Sequence, residues 1–285
     1  MVILLGLAAA VLYGTGDFLG GLATRRAHVL VVLALAETAG VIVVLPAAAM
    51  SPGPARLAGL AWGISAGLIG GLGLIIFYQG LAAGPMSVVA PVSALVSTVL
   101  PVAVALAGGE RPGAAVYAGA LLCVAAIVLA SSATDSNPAG GTRTAAPPAR
   151  AVGYGIASGA SFGLFFLLIR NAGRSGELWP VAAGRIGELA VVLITAAVLR
   201  RSLLPRGAGG RLPLAAAGAG AIDVIANISY VAATRTGQFG LAVVLASLYP
   251  GITVLLARVV LGERLRWAQR VGLGLAAIGI ILLAA

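Results

Sequence analysis

The sequence predicts an all-α polytopic membrane protein: ten transmembrane helices arranged as two inverted five-helix repeats. Three observations predict it. The 285 residues are 60% apolar and 9% charged, with a mean hydropathy of +1.09, whereas a soluble domain carries about 25% charged residues. A span needs roughly 20 apolar residues, which leaves room for about ten spans with short loops. The third observation is a duplication. Gly84 to Arg111, GPMSVVAPVSALVSTVLPVAVALAGGER, recurs without a gap 153 positions later as Gly237 to Arg264, GQFGLAVVLASLYPGITVLLARVVLGER. Gly84 falls on Gly237, Leu95 on Leu248, and Gly109-Glu110-Arg111 on Gly262-Glu263-Arg264. The register runs on through Gly119 over Gly272 and Leu129 over Leu282, and upstream Phe77 sits over Tyr230. Matches among Ala, Leu and Val are cheap in so apolar a chain; an ungapped GER match is not.

In chain order, apolar runs place spans near 2–23, 29–49, 57–81, 86–107 and 113–131, a first repeat over 1–131. The first run has no charged leader and meets Tyr13 and Asp17 early, which argues for a span rather than a cleaved signal peptide. The Pro/Gly-rich segment 132–150 cannot bury enough apolar surface to order itself and reads as a flexible linker. Spans near 151–170, 178–199, 212–234, 239–261 and 267–285 then make a second repeat over 151–285. Five spans per repeat is an odd number, so the second copy crosses the membrane in the opposite sense. Gly16/Gly20, Gly67/Gly71 and Gly155/Gly159 are GxxxG pairs, expected to let helices approach closely. Pro91, Pro101 and Pro250 fall within the fourth and ninth spans and favour kinks there.

The basic balance, +10, is all arginine and is scattered over loops and span ends, which fits topology and lipid headgroups and excludes a nucleic-acid surface. With the N-terminus cytoplasmic, five arginines fall in cytoplasmic loops and eleven in the opposite ones, so the count by itself favours both termini outside. Cys123 is the single cysteine, so no disulfide frame or thiolate metal site is expected, and no metal or cofactor. His28 sits at a loop edge and Trp62, Trp179 and Trp267 near span ends. Tyr78 and Gln79, at the end of the third span, are candidates to line a cavity.

Charges inside the spans carry the functional signal. Asp17, Glu37, Glu188 and Asp223 lie mid-span, with Arg185 beside Glu188. Each unpaired charge at a helix centre costs about 2.5–3.5 kcal/mol, so pairing, protonation or a wet cavity is expected. Arg185 and Glu188, three apart, share a helix face and either pair or jointly hold a ligand. Asp223, Asn227 and Tyr230 draw a polar stripe along the eighth span; Tyr13 and Asp17 do so on the first. Glu37, in LAETAGVIVVL, and Glu188, in IGELAVVLITA, hold matching places in the two repeats, so each half sends a carboxylate toward a shared axis. Four acids against one base make an interior that prefers cations, zwitterions or protons over anions. The bland alternative is an Arg185–Glu188 tether with Asp17 or Asp223 capping a broken helix.

The doubled pattern resembles the drug/metabolite transporter superfamily, specifically its ten-helix EamA-type members. PVSALVSTVLPVAVALAGGER, ASLYPGITVLLARVVLGER and the early YGTGDFLGG carry the resemblance, which extends over nearly the whole chain. It implies a secondary carrier in the plasma membrane, exporting small metabolites such as amino acids, or cationic drugs, often against proton entry, with both termini cytoplasmic. On that reading Tyr13, Asp17, Glu37, Arg185, Glu188, Asp223, Asn227 and Tyr230 form the substrate and proton site. The expected partners are a small-molecule substrate, protons and the lipid bilayer, and the protein is a monomer or homodimer. Translocation of a lipid or lipid-linked sugar, or uncoupled uniport, are the alternatives. An enzyme needs a nucleophile–base pair or metal ligands, and one edge histidine with one apolar cysteine provides neither.

Overall fold

A computed structural model describes residues 1–51, 53–83, 86–109, 111, 113–131, 148–172, 178–204, 210–236, 239–261 and 267–284. Among these, all regular structure is helical. The first repeat forms α1 (Val2–Thr24), α2 (Val29–Met50), α3 (Leu57–Ala83), α4 (Met86–Ala107) and α5 (Ala114–Ser131). The second forms α6 (Pro148–Ala172), α7 (Trp179–Val198), α8 (Arg211–Thr234), α9 (Phe239–Ala246), α10 (Tyr249–Leu261) and α11 (Trp267–Ala284). Six helices, α1, α2, α3, α6, α7 and α8, are long and apolar enough to cross a membrane. Their outward faces carry large apolar side chains such as Leu4, Ile42, Leu72, Ile194 and Leu214, the inverse of a soluble bundle. The protein is an all-helical, polytopic integral membrane protein.

The stretch expected as a single ninth span is two helices. Ser247 and Leu248 interrupt it, with Leu248 N–H donating to the Leu245 carbonyl at 3.2 Å and Gly251 N–H to the Leu248 carbonyl at 3.0 Å. Pro250 explains the site of the break: it has no N–H for the Ala246 carbonyl, and it is tolerated in the first turn of the new helix α10. The position 153 residues earlier is Ser97, and there α4 is continuous. Pro91 and Pro101 do not interrupt α4, nor does Pro46 interrupt α2. The linker's last residues are shorter of loop than expected, because α6 begins at Pro148.

Packing runs mainly between the two repeats. Helix α3 lies against α6 and α7, and α8 correspondingly against α1 and α2. Helix α4 packs on α6 as α9 and α10 pack on α1, while α5 packs on α11 and α2 on α7. Exchanging residues 1–131 with 148–284 therefore turns each of these pairings into another or, for α5 on α11 and α2 on α7, into itself. The same exchange holds at the level of single glycines. A β-carbon on Gly67 of α3 would run into the Gly184 carbonyl of α7. Gly220, 153 residues on, is pressed in the same way onto the Ala36 carbonyl of α2. Small residues permit backbone-to-backbone approach where lipid provides no hydrophobic drive for association. Glu110, Glu263 and Arg264 of the repeated GER match lie outside the described residues.

Candidate functional site

The site forms where α1, α2, α7 and α8 converge. Glu37 belongs to α2, Arg185 and Glu188 to α7, Asp223 and Asn227 to α8, and Tyr13 and Asp17 to α1. Arg185 is the hub. Its Nη1 lies 2.6 Å from Glu37 Oε2 and 2.9 Å from Glu188 Oε2, and its Nη2 is paired with Asp223 Oδ2. The sequence suggested the Arg185–Glu188 pair; the fold adds two more carboxylates to the same guanidinium. Gly40, nearly one turn along α2 from Glu37, leaves room for the arginine stem: a β-carbon there would stand 3.0 Å from Arg185 Cδ.

The network continues along α8 to α1. Asn227 Nδ2 donates to Asp223 Oδ2 at 2.9 Å and to the Asp223 carbonyl at 3.0 Å. Tyr13 OH donates to Asn227 Oδ1 at 2.9 Å. Glu37 and Arg185 are each 2% exposed and Glu188 4%, whereas the Asp223 side chain is 26% exposed. The cluster is therefore sealed at its Glu37 end and open at its Asp223 end. Three carboxylates face one guanidinium, an excess of two formal negative charges when all are ionised. In a low-dielectric interior that excess is costly, and a proton or a bound cation offsets it.

Beside the cluster lies a cavity of about 500 Å³, its open mouth included, lined by Tyr13, Asp17, Gly70, Leu74, Phe162, Phe165, Phe166, Glu188, Asp223, Asn227 and Tyr249. Five of the eight expected site residues line it. Glu37 and Arg185 stand behind Glu188 and Asp223 in the ion cluster. Tyr230 is fully buried and packs on Phe166 with ring centroids 4.7 Å apart; it is not on the cavity wall, and its hydroxyl has no hydrogen-bond partner among the described residues. Asp17 and Asp223 cap nothing, since each sits within a continuous helix. Tyr78 is buried and Gln79 exposed, and neither lines the cavity. His28 is not merely a loop residue: its Nδ1 accepts from the Leu30 N–H at 3.3 Å and caps α2.

The residues that sequence reasoning missed form the opposite wall: Gly70 and Leu74 of α3, Phe162, Phe165 and Phe166 of α6, and Tyr249 of α10. The duplication held the signal. Gly70 and Leu74 precede Asp223 and Asn227 by 153 positions. Aligning Tyr13-Gly14 with Phe162-Gly163 puts Asp17 on Phe166.

A bundle of membrane-spanning helices with charged side chains beside an internal cavity is the architecture of a membrane protein with a candidate binding site at its centre. The EamA-like transporter family matches residues 1–132 and 149–285, and the chain belongs to that family. It is accordingly a membrane transporter of the drug/metabolite transporter superfamily. A crystal structure of another protein is similar, with a TM-score of 0.76 and 22% identity over 99% of this chain and 95% of that one, which supports the fold alone. None of the curated proteins matches the chain in sequence.

Proposed function

We propose that this transporter is a proton-coupled secondary carrier of the plasma membrane, exporting small zwitterionic metabolites or organic cations. Its ten spans form two inverted five-helix repeats that rock against each other, opening the cavity to one side at a time. The observation that carries this reading is the ion cluster. Glu37 comes from the first repeat, Arg185, Glu188 and Asp223 from the second, and they meet at the wall of a cavity between the halves. A proton or substrate that changes the charge of Asp223 changes how firmly Arg185 ties the two halves together. Binding and the relative position of the halves are then linked through one ion pair, which is what coupling requires.

The test is proton flux in proteoliposomes holding purified protein and a pH-sensitive dye, screened with amino acids, nucleosides and organic cations. The expected result is a compound that drives proton movement in the wild type and not in Asp223→Asn or Glu188→Gln, both still monodisperse. Transport of an identified compound with no proton movement would replace coupling by uniport. Full transport by all the carboxamide variants would remove the carboxylates from the mechanism.

A further inference from the structure

Asp17 differs from the other carboxylates in its surroundings. Glu37, Glu188 and Asp223 are all taken up by Arg185, whereas Asp17 makes no hydrogen bond or ion pair among the described residues although it lines the cavity. It stands one helical turn from Tyr13 on the same face of α1. Tyr13 is flanked edge-on by two further rings of the cavity wall. Phe166 is 6.2 Å away at 68° and Tyr249 is 6.4 Å away at 66°. Rings at such angles present faces in different directions around one volume. Phe162 and Phe165 extend the same wall.

We infer that Asp17 together with Tyr13, Phe166 and Tyr249 is the recognition point for a substituted ammonium group, and that the preferred substrate is an organic cation bearing an aromatic or bulky apolar group. This rests on the carrier reading and narrows its substrate class. An ammonium centre with alkyl substituents is attracted to ring faces and gains further from a carboxylate within the same desolvated pocket. The wall of Phe162, Phe165, Leu74 and Gly70 offers no hydrogen-bonding side chain, so the rest of the molecule there must be apolar. Among the described residues the cavity wall holds no cation to meet an anion, and Arg185 behind it is buried and committed to three carboxylates. The site divides in two: Asp17 holds the substrate's charge, and the Arg185 cluster answers to it through Asp223. The two groups are close, since Gly16, next to Asp17, packs against Asp223 Cβ.

The test is direct binding to the full-length protein in lipid nanodiscs, using radiolabelled benzyltrimethylammonium, with neopentylbenzene as its uncharged isostere and phenylalanine as a zwitterion. Saturable binding of the cation is expected, weakened about tenfold or more in Asp17→Asn, partly restored in Asp17→Glu, and not displaced by the isostere. Labelling of the wild-type protein by a hydrophobic carbodiimide, mapped by mass spectrometry, tests the same point without a variant: the cation should protect Asp17. Wild-type affinity in a folded Asp17→Asn, or unprotected Asp17 in the presence of saturating cation, overturns the inference. So does a wild type that binds none of the cation. Proton flux with a zwitterion but no cation binding would sink this inference and leave the carrier reading standing. Asp17-dependent binding without flux would do the reverse.

Discussion

Helix pair α1·α8 and helix pair α6·α3 occupy matching places in the two repeats, yet they line the cavity with opposite chemistry. The first pair presents Tyr13, Asp17, Asp223 and Asn227; the second presents Phe162, Phe165, Phe166, Gly70 and Leu74. Equivalent backbone positions thus hold an aspartate in one copy and a phenylalanine or glycine in the other. A strictly repeated site would have placed charge on both walls, at a cost of about 2.5–3.5 kcal/mol for each further unpaired group. Divergence of one copy instead gives a cavity with a polar and an aromatic side. The self-match of the sequence relates the two walls, and the residues that differ within it give the pocket its two sides.

The largest effect should come from the polar side. Arg185→Leu leaves buried Glu37 and Glu188 and part-exposed Asp223 without their shared cation, and should destabilise the protein by about 3–5 kcal/mol. Thermal unfolding in detergent, followed by size-exclusion chromatography, would show it as early aggregation. Adding Glu188→Gln and Asp223→Asn to that variant should recover part of the loss; no recovery would mean that the arginine acts through packing rather than charge.

Next come the two equivalent crossings. Gly67→Val on α3 and Gly220→Val on α8 should each cost about 1–3 kcal/mol by pushing helices apart. Similar losses in the same unfolding assay would sharpen the equivalence of the halves. A loss confined to one glycine would break it.

Smaller changes probe single hydroxyls. Tyr13→Phe removes the donor to Asn227 and should lower stability by about 0.5–1.5 kcal/mol, loosening the stripe that leads to Asp223. Tyr230→Phe should be the mildest, neutral or slightly stabilising by under about 0.5 kcal/mol, because its buried hydroxyl has no partner among the described residues. The chain already has Phe77 at the matching place of the other repeat. A marked loss of thermal stability in Tyr230→Phe would reveal a partner for that hydroxyl.

The sequence by itself determined the membrane class, the helical content and which charges lie mid-span. Those properties are local: apolar runs long enough to span lipid and acids where acids are expensive. The mid-span charges could be singled out because lipid makes each of them costly wherever the helices pack. Two things were decided only by tertiary structure. The sequence offered Arg185 an obvious mate in Glu188, three residues away, but gathering Glu37 and Asp223 onto the same guanidinium depends on how α2, α7 and α8 cross. The aromatic wall was hidden for a different reason. Aromatic residues in an apolar helix look the same whether they meet lipid, core or cavity, and only the placement of α6 across the cavity from α1, and of α10 against α1, brings Phe166 and Tyr249 to the space beside Asp17.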